Sequence, residues 1–235
     1  MPRLYLEDPL ASVKVCASLA TALEQLGFTI SVSTDLPKLN STRLAARQTP
    51  VSPYFDPGIS NLTPDRFFWM ALKSPNGSTA SIQAYRYDYV DTSLAEWGPS
   101  YIIGLYMRRQ EILLPSHTSP PKNSIADRIR GRLVYHGEFW IDPQVQNRKL
   151  LEKFSRLGMI LSLIKWNPDA VWALCNKRMA AHGHPSRMGY PYLEPGFLRW
   201  QWTSEEEYQV EWLNVALRQS IEQLISEMHS NLNLN

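Results

Sequence analysis

Cysteine is scarce. Cys16 and Cys175 are the only two in 235 residues, which excludes a disulfide-built fold and a four-cysteine zinc site. An excess of either charge is lacking too. Twenty-four Lys and Arg stand against 22 Asp and Glu, a net charge of +2, too small to hold nucleic acid by bulk electrostatics. No apolar run approaches the ~20 residues of a membrane span. The opening MPRLYLEDPL has early acids and no apolar stretch, unlike a secretory signal. A cytoplasmic setting is therefore expected, with no membrane and no nucleic-acid partner. G-x-S-x-G, Walker and Rossmann fingerprints are absent as well. At 44% apolar and 20% charged residues, disorder is excluded and a sizeable core is available. The length fits one large domain or one domain with an extension.

What the chain does have is tryptophan. Eight are present, and five (Trp140, Trp166, Trp172, Trp200 and Trp202) fall between 140 and 202. Such residues fill cores and interfaces more often than they bracket ligands.

Residues 13–26 place Val13, Cys16, Leu19, Ala20, Leu23 and Leu26 at helical spacing, with Gly27 as a stop. FTISVS (28–33) alternates as a strand does. Residues 34–66 are loop-rich, with a short helix expected around 41–47, and so are suited to contact a substrate or partner. RFFWMALKS (66–74) and STASIQAYRYDYV (78–90) flank the turn SPNG (74–77) and predict a hairpin. Its second strand shows Ile82, Ala84, Arg86 and Asp88 on one face and Tyr85, Tyr87 and Tyr89 on the other. PSYIIGLYMRR (99–109) reads equally as strand or helix.

GRLVYHGEFWI (131–141) predicts a strand whose alternation sets Leu133, Tyr135, Gly137, Phe139 and Ile141 against Val134, His136, Glu138 and Trp140. Asp142-Pro143 ends it. An amphipathic helix follows over 147–165, then a buried strand, AVWALC (170–175), and a short helix over 176–182. FLRWQW (197–202) is a late strand. Ser204 with Glu207 forms a capping box that opens a last helix, with Val210, Leu213, Leu217, Ile221, Leu224 and Met228 as its apolar stripe. Together these elements imply an α/β fold with a mixed sheet and helices on its faces. His182-Gly183-His184 lacks a second Cys or His cluster nearby, so no metal site is expected.

Three stretches, GRLVYHGEFWIDPQVQNRKLLEKFSRLG, DAVWALC and NKRMAAHGHPSRMGY, taken in this order, resemble the central and C-terminal part of the GNAT (acyl-CoA N-acyltransferase) superfamily, as a divergent member. The likeness is best over 131–190 and extends over 66–202. It implies a GNAT-like mixed, mostly antiparallel sheet flanked by helices. It also implies a division into an N-terminal helix, strand and loop-rich extension over 1–65 and a GNAT-like core with a C-terminal helix over 66–235.

The activity implied is transfer of an acyl group, most simply acetyl, from acetyl-CoA or another acyl-CoA to an unidentified primary amine, without a metal. In the family a glycine-rich turn opens the helix after the strand, and its amides and helix dipole hold the coenzyme A diphosphate. By that match Ile141, Gln146, Asn147, Arg148, Lys149, Leu150 and Asn176 are the cofactor-binding residues. Gln146 keeps the pattern, but Lys149 and Leu151 stand where the family has small residues. Asn176 also reads as an ordinary helix cap.

The family's base is often a glutamate on the strand before the turn. Glu138 fills that place, with His136 as the alternative on the same predicted face. A family tyrosine that protonates the leaving group has Pro185 in its position here, and Tyr190 is the substitute, so Glu138 and Tyr190 are the catalytic candidates. The 34–66 and 89–100 loops, including Asp91, Glu96 and Trp97, are expected to contact the substrate. The departures at Lys149, Leu151 and Pro185 support a second reading. In it the chain is a catalytically inactive scaffold that binds a protein partner through the C-terminal helix or a Trp-rich surface.

Overall fold

The computed structural model describes residues 6–110, 112–113, 120–145, 148–202 and 208–232. In chain order its elements are α1 (Pro9–Gln25), β1 (Thr29–Ser33), α2 (Leu36–Arg47), β2 (Phe67–Lys73), β3 (Thr79–Val90), α3 (Leu94–Met107), β4 (Ile112–Leu113), β5 (Gly131–Ile141), α4 (Arg148–Trp166), β6 (Ala170–Cys175), α5 (Lys177–Ala181), α6 (His184–Met188), β7 (Tyr192–Trp202), β8 (Gln209–Leu217) and α7 (Arg218–Leu232). Single 3-10 turns lie at Pro53–Phe55 and Ile125–Arg128.

The strands form one sheet in the order β1-β2-β3-β5-β6-β8-β7-β4. All neighbours are antiparallel except β5 and β6. The expected mixed, mostly antiparallel sheet flanked by helices is present. Within the 1–65 segment, β1 is itself a sheet strand, paired with β2 from Thr29–Lys73 to Ser33–Trp69.

Each face of the sheet has its own core. One packs Leu36, Leu39, Tyr54, Phe55, Ile102 and Leu105 onto Tyr135, Trp172 and Leu213. The other packs Val15, Leu19, Leu150, Phe154, Ile160 and Ile221 onto Tyr85, Val134 and Val171. Trp69, Trp172 and Trp200 are buried, in keeping with a filling role for this residue. Gly158 lets α4 approach β3 closely. A Cβ there would sit 2.5 Å from the Tyr85 ring and 2.7 Å from Gln83 Nε2.

Three sequence expectations are corrected. Residues 209–217 are strand β8 rather than the first half of a helix begun at Ser204, and α7 starts at Arg218. The positions Leu213 and Leu217 satisfy a strand period of two and a helix period of about 3.6 at once. The Ser204 and Glu207 box lies outside the described residues. Residues 99–109, open to either reading, lie mostly in helix α3, with Pro99 inside it at the sixth position, where the helix goes without one backbone bond. The helix foreseen at 41–47 begins at Leu36, capped by the Asp35 carboxylate on the Lys38 amide at 2.9 Å.

The third correction bears on function. β5 follows its predicted alternation only as far as Gly137. Ala84 pairs with Gly137, but Ile82 pairs with Trp140, so three steps on β5 match two on β3. Glu138 sits at this bulge with φ 57°, and the extra residue reverses the faces beyond it. Phe139 and Ile141 turn to the α4 face and Trp140 to the α2 and α3 face. His136 and Glu138 therefore do not share a face.

Candidate functional site

β5 and β6 are joined by three register pairs alone, from Leu133–Ala170 to Tyr135–Trp172. Asp169 pins the joined end. It accepts from the Arg132 amide at 2.9 Å and forms ion pairs with Arg132 and Arg218. Beyond Tyr135 and Trp172 no further pairs link the two strands, and a cavity of about 320 Å³ occupies the gap. β5 lines it from Tyr135 to Phe139, β6 from Ala173 to Cys175, and β8 through Glu211 and Asn214. Arg43, Arg47 and Ser52 close it on the α2 side; Met179, Pro185, Met188 and Tyr190 close it on the α6 side. The volume lies at the lower end of small-ligand sites. A larger cavity of about 550 Å³ lies between α1 and α7 but contains none of the candidate residues.

On the α4 face, His136 and Tyr190 meet, with Nδ1 and the hydroxyl 2.7 Å apart. His136 also stacks on Tyr85 at 4.4 Å and 10°. Its Nε2 is buried without a hydrogen-bond partner among the described residues. Burial pushes the imidazole down to about 3, so it is neutral at physiological pH. Burial also drives the Tyr190 hydroxyl well above its usual range, so it holds its proton. Cys175 is no ready nucleophile. Burial raises its thiol to about 11, while its hydrogen bond to Asn214 Oδ1 at 3.4 Å opposes that rise.

On the opposite face, Glu138 is fully engaged. Its carboxylate forms an ion pair with Arg43 and accepts the Ser52 amide at 2.9 Å. Arg43 in turn donates from Nε to the Pro50 carbonyl at 2.9 Å. The positive φ at the bulge is what delivers Glu138 to α2.

Glu211 differs. It lines the same cavity, on the face shared by Leu213 and Val215. Among the described residues its carboxylate has no hydrogen bond or ion pair. Burial raises it to about 7. Sequence reading missed Glu211 because it lay inside an expected helix. The usable signal was the alternation Glu211, Leu213, Val215, Leu217.

The remaining sequence candidates separate. Asn176 lines the cavity but uses its side chain to cap α5, accepting from the Met179 amide at 2.9 Å. Gln146 and Asn147 lie outside the described residues, as does the Arg148 side chain. Ile141, Leu150 and Leu151 are buried in the core under α4. The Lys149 side chain is exposed, on a groove between α1 and α4. Neither Lys149 nor Leu151 lines the cavity, so neither fills the gap.

Asp91, Glu96 and Trp97, expected to contact the substrate, do not line this cavity. Trp97 instead stacks on Tyr101 at 4.6 Å. The 34–66 segment does reach the site, through Arg43, Arg47 and Ser52. No group of three or more His, Cys, Asp or Glu able to hold a metal ion occurs among the described residues. No described helix is long and apolar enough to cross a membrane.

No protein-family model matches the chain, and neither does any curated protein. Solved structures do. The chain is similar to NAA60 of Arabidopsis thaliana in complex with acetyl-CoA, at 13% identity over 80% of this chain and 98% of that one, with a TM-score of 0.48. It is also similar to a variant of the spermidine N-acetyltransferase SpeG of Vibrio cholerae, at 9% identity over 83% and 96% of the two chains, TM-score 0.46. A GNAT-family acetyltransferase of Streptococcus pneumoniae is similar at 12% identity over 81% and 99%, TM-score 0.42.

Proposed function

We propose that the chain transfers an acyl group, most simply acetyl, from acyl-CoA to a primary amine in the gap between β5 and β6. The observation that carries this reading is the cavity itself. Two parallel strands part after three pairs, polar side chains from both faces look into the opening, and β5 runs from that opening into the turn before α4. A thioester held there has a neutral proton donor on one face and carboxylates on the other. The amides of Arg148 and Lys149, at the start of a 19-residue helix, suit a diphosphate. Ile141 and Leu150 are buried, so they contribute main chain alone, and Asn176 serves by fixing the start of α5.

The residues divide the work by protonation state. Tyr190 keeps its proton and is placed to give it to a departing thiolate. The neutral His136 orients it. When Nδ1 carries the ring hydrogen it donates to the Tyr190 oxygen, which leaves the phenolic hydrogen for the sulfur. Glu138, locked to Arg43 and Ser52, holds α2 over the cavity rather than exchanging protons.

The reading is tested with the full chain. Isothermal titration with acetyl-CoA measures binding, and thiol release in the presence of primary amines measures transfer. Micromolar binding with amine-dependent release is the expected result. Absence of heat at millimolar acetyl-CoA overturns the reading and leaves a scaffold.

A further inference from the structure

We infer that Glu211 is the proton acceptor for the incoming amine, a role that rests on the acyl-transfer reading. The geometry singles it out from the other acids and bases at the cavity. Glu138 has both oxygens occupied by Arg43 and Ser52. His136 lies on the opposite face and is bound to Tyr190. The Cys175 thiol is hydrogen-bonded to Asn214. Glu211 faces the same space with a carboxylate that nothing in the described structure engages.

The elements around Glu211 account for this. It stands one step past the last β6–β8 pair, Cys175 with Trp212, where the ladder has opened. On its other side it pairs with Leu198, just beyond the irregularity between Pro195 and Leu198. Among the described residues, Tyr135 on β5 and Cys175 on β6 both feel its charge. Across the cavity stand Glu138 with its partner Arg43, and Arg47 at the exposed rim of α2. With Arg43 paired to Glu138 and Arg47 exposed, Glu211 is a half-buried acid with no ion-pair partner among the described residues. An ammonium group supplies the missing charge.

The balance of the step follows. The ammonium nitrogen gives one proton to the Glu211 carboxylate. Its freed lone pair forms the C–N bond to the acyl carbon. The C–S bond breaks with its electron pair on sulfur, which takes the Tyr190 proton. The second nitrogen proton replaces the one that Tyr190 delivered, and Glu211 returns its own to water. The sum is thioester plus ammonium giving amide, free thiol and one proton.

The test uses the full chain, acetyl-CoA and a panel of primary amines comprising an α-amino peptide, a lysine peptide and a polyamine. In the wild type, kcat/KM should fall on the acid side with a midpoint near 7, where burial places the Glu211 carboxyl of the free protein. Glu211→Gln should lower kcat about a hundredfold, within the usual range for a general base, and erase that acid limb. It should leave acetyl-CoA affinity within about twofold. Glu211→Asp should restore part of the rate and the limb, which a purely structural role would not do.

An isotope-edited infrared titration of the wild-type carboxyls checks the group directly, whatever the fate of the variants, and should show one carboxyl titrating near 7. An acid limb that survives Glu211→Gln with acetyl-CoA still bound, or the absence of any carboxyl titrating near neutrality, overturns the inference alone. Acetyl-CoA binding without thiol release on any amine also overturns it. Failure of the wild type to bind acetyl-CoA overturns the acyl-transfer reading and this inference with it.

Discussion

Replacing Glu138 is the sharpest test of the bulge and its clamp. The Glu138 side chain is 1% exposed and that of Arg43 13%, so neither charge has water as a fallback. Glu138→Ala strands the Arg43 guanidinium and leaves the Ser52 amide without its acceptor. Breaking such a pair from one side costs about 3–5 kcal/mol, because the surviving charge stays buried. Glu138→Gln keeps an acceptor for Ser52 and loses the ion pair, so its cost should be smaller.

The double change Arg43→Met with Glu138→Met removes both charges and should cost ~2 kcal/mol or less. Its coupling energy should be about 2 kcal/mol, within the range for contacting residues. Urea unfolding of Glu138→Ala, Glu138→Gln, the double variant and its two single-Met parents measures all of these. A Glu138→Ala cost below about 1 kcal/mol, or single effects that simply add, would show that the pair does not hold α2 to β5, and the reasoning from burial would be wrong.

Further outcomes follow from the same geometry. Gly158→Ala should cost about 1–3 kcal/mol in urea unfolding, since its Cβ would meet Tyr85 and Gln83 Nε2 at 2.5–2.7 Å, and should weaken acyl transfer by moving the ring that supports His136. With Cys175 buried and Cys16 half-buried, burial raises the first thiol to about 11 and the second to about 12, so a thiol reagent at pH 8 should react with the folded protein far more slowly than with the unfolded chain. His136 is held neutral down to about 3 in the fold against an ordinary 6.5. The unfolded chain therefore binds the extra proton between those values, and stability falls as pH drops through that window; His136→Gln should flatten the fall. Glu211 has the opposite sign. The folded protein protonates it near 7 rather than 4.5, so stability rises as pH falls between them, and Glu211→Gln should exceed the wild type in stability at pH 8.

Much of the frame was legible in the sequence because local signals agreed with one another. The Asn76-Gly77 turn between alternating runs specified the β2–β3 hairpin. Leu150, Phe154, Leu157, Ile160 and the Asn167-Pro168 stop specified α4. Two features escaped for physical reasons. β8 carries Leu213 and Leu217, which fit either period, and the strand reading wins through its pairing with β6 and β7, which a linear pattern does not carry.

The bulge at Glu138 is likewise a product of pairing, since one additional residue against β3 is invisible in the alternation of 131–141. That single residue decides the site. It sends Glu138 to Arg43, separates it from His136, and leaves Glu211, hidden within the misread strand, as the unpaired carboxylate. Tyr190 and Asn176, both of which line the cavity, were singled out because they sit in the segments that carry the resemblance.

The central claim is that the parting of β5 and β6 makes a binding gap for acyl-CoA. Isothermal titration of acetyl-CoA into the wild type and into Ala173→Phe, which fills the gap from β6, tests it most directly. The account predicts one site of micromolar affinity in the wild type and none in Ala173→Phe, with urea unfolding confirming that the variant remains folded. Equal binding by both proteins, or no heat from the wild type at millimolar ligand, would contradict it.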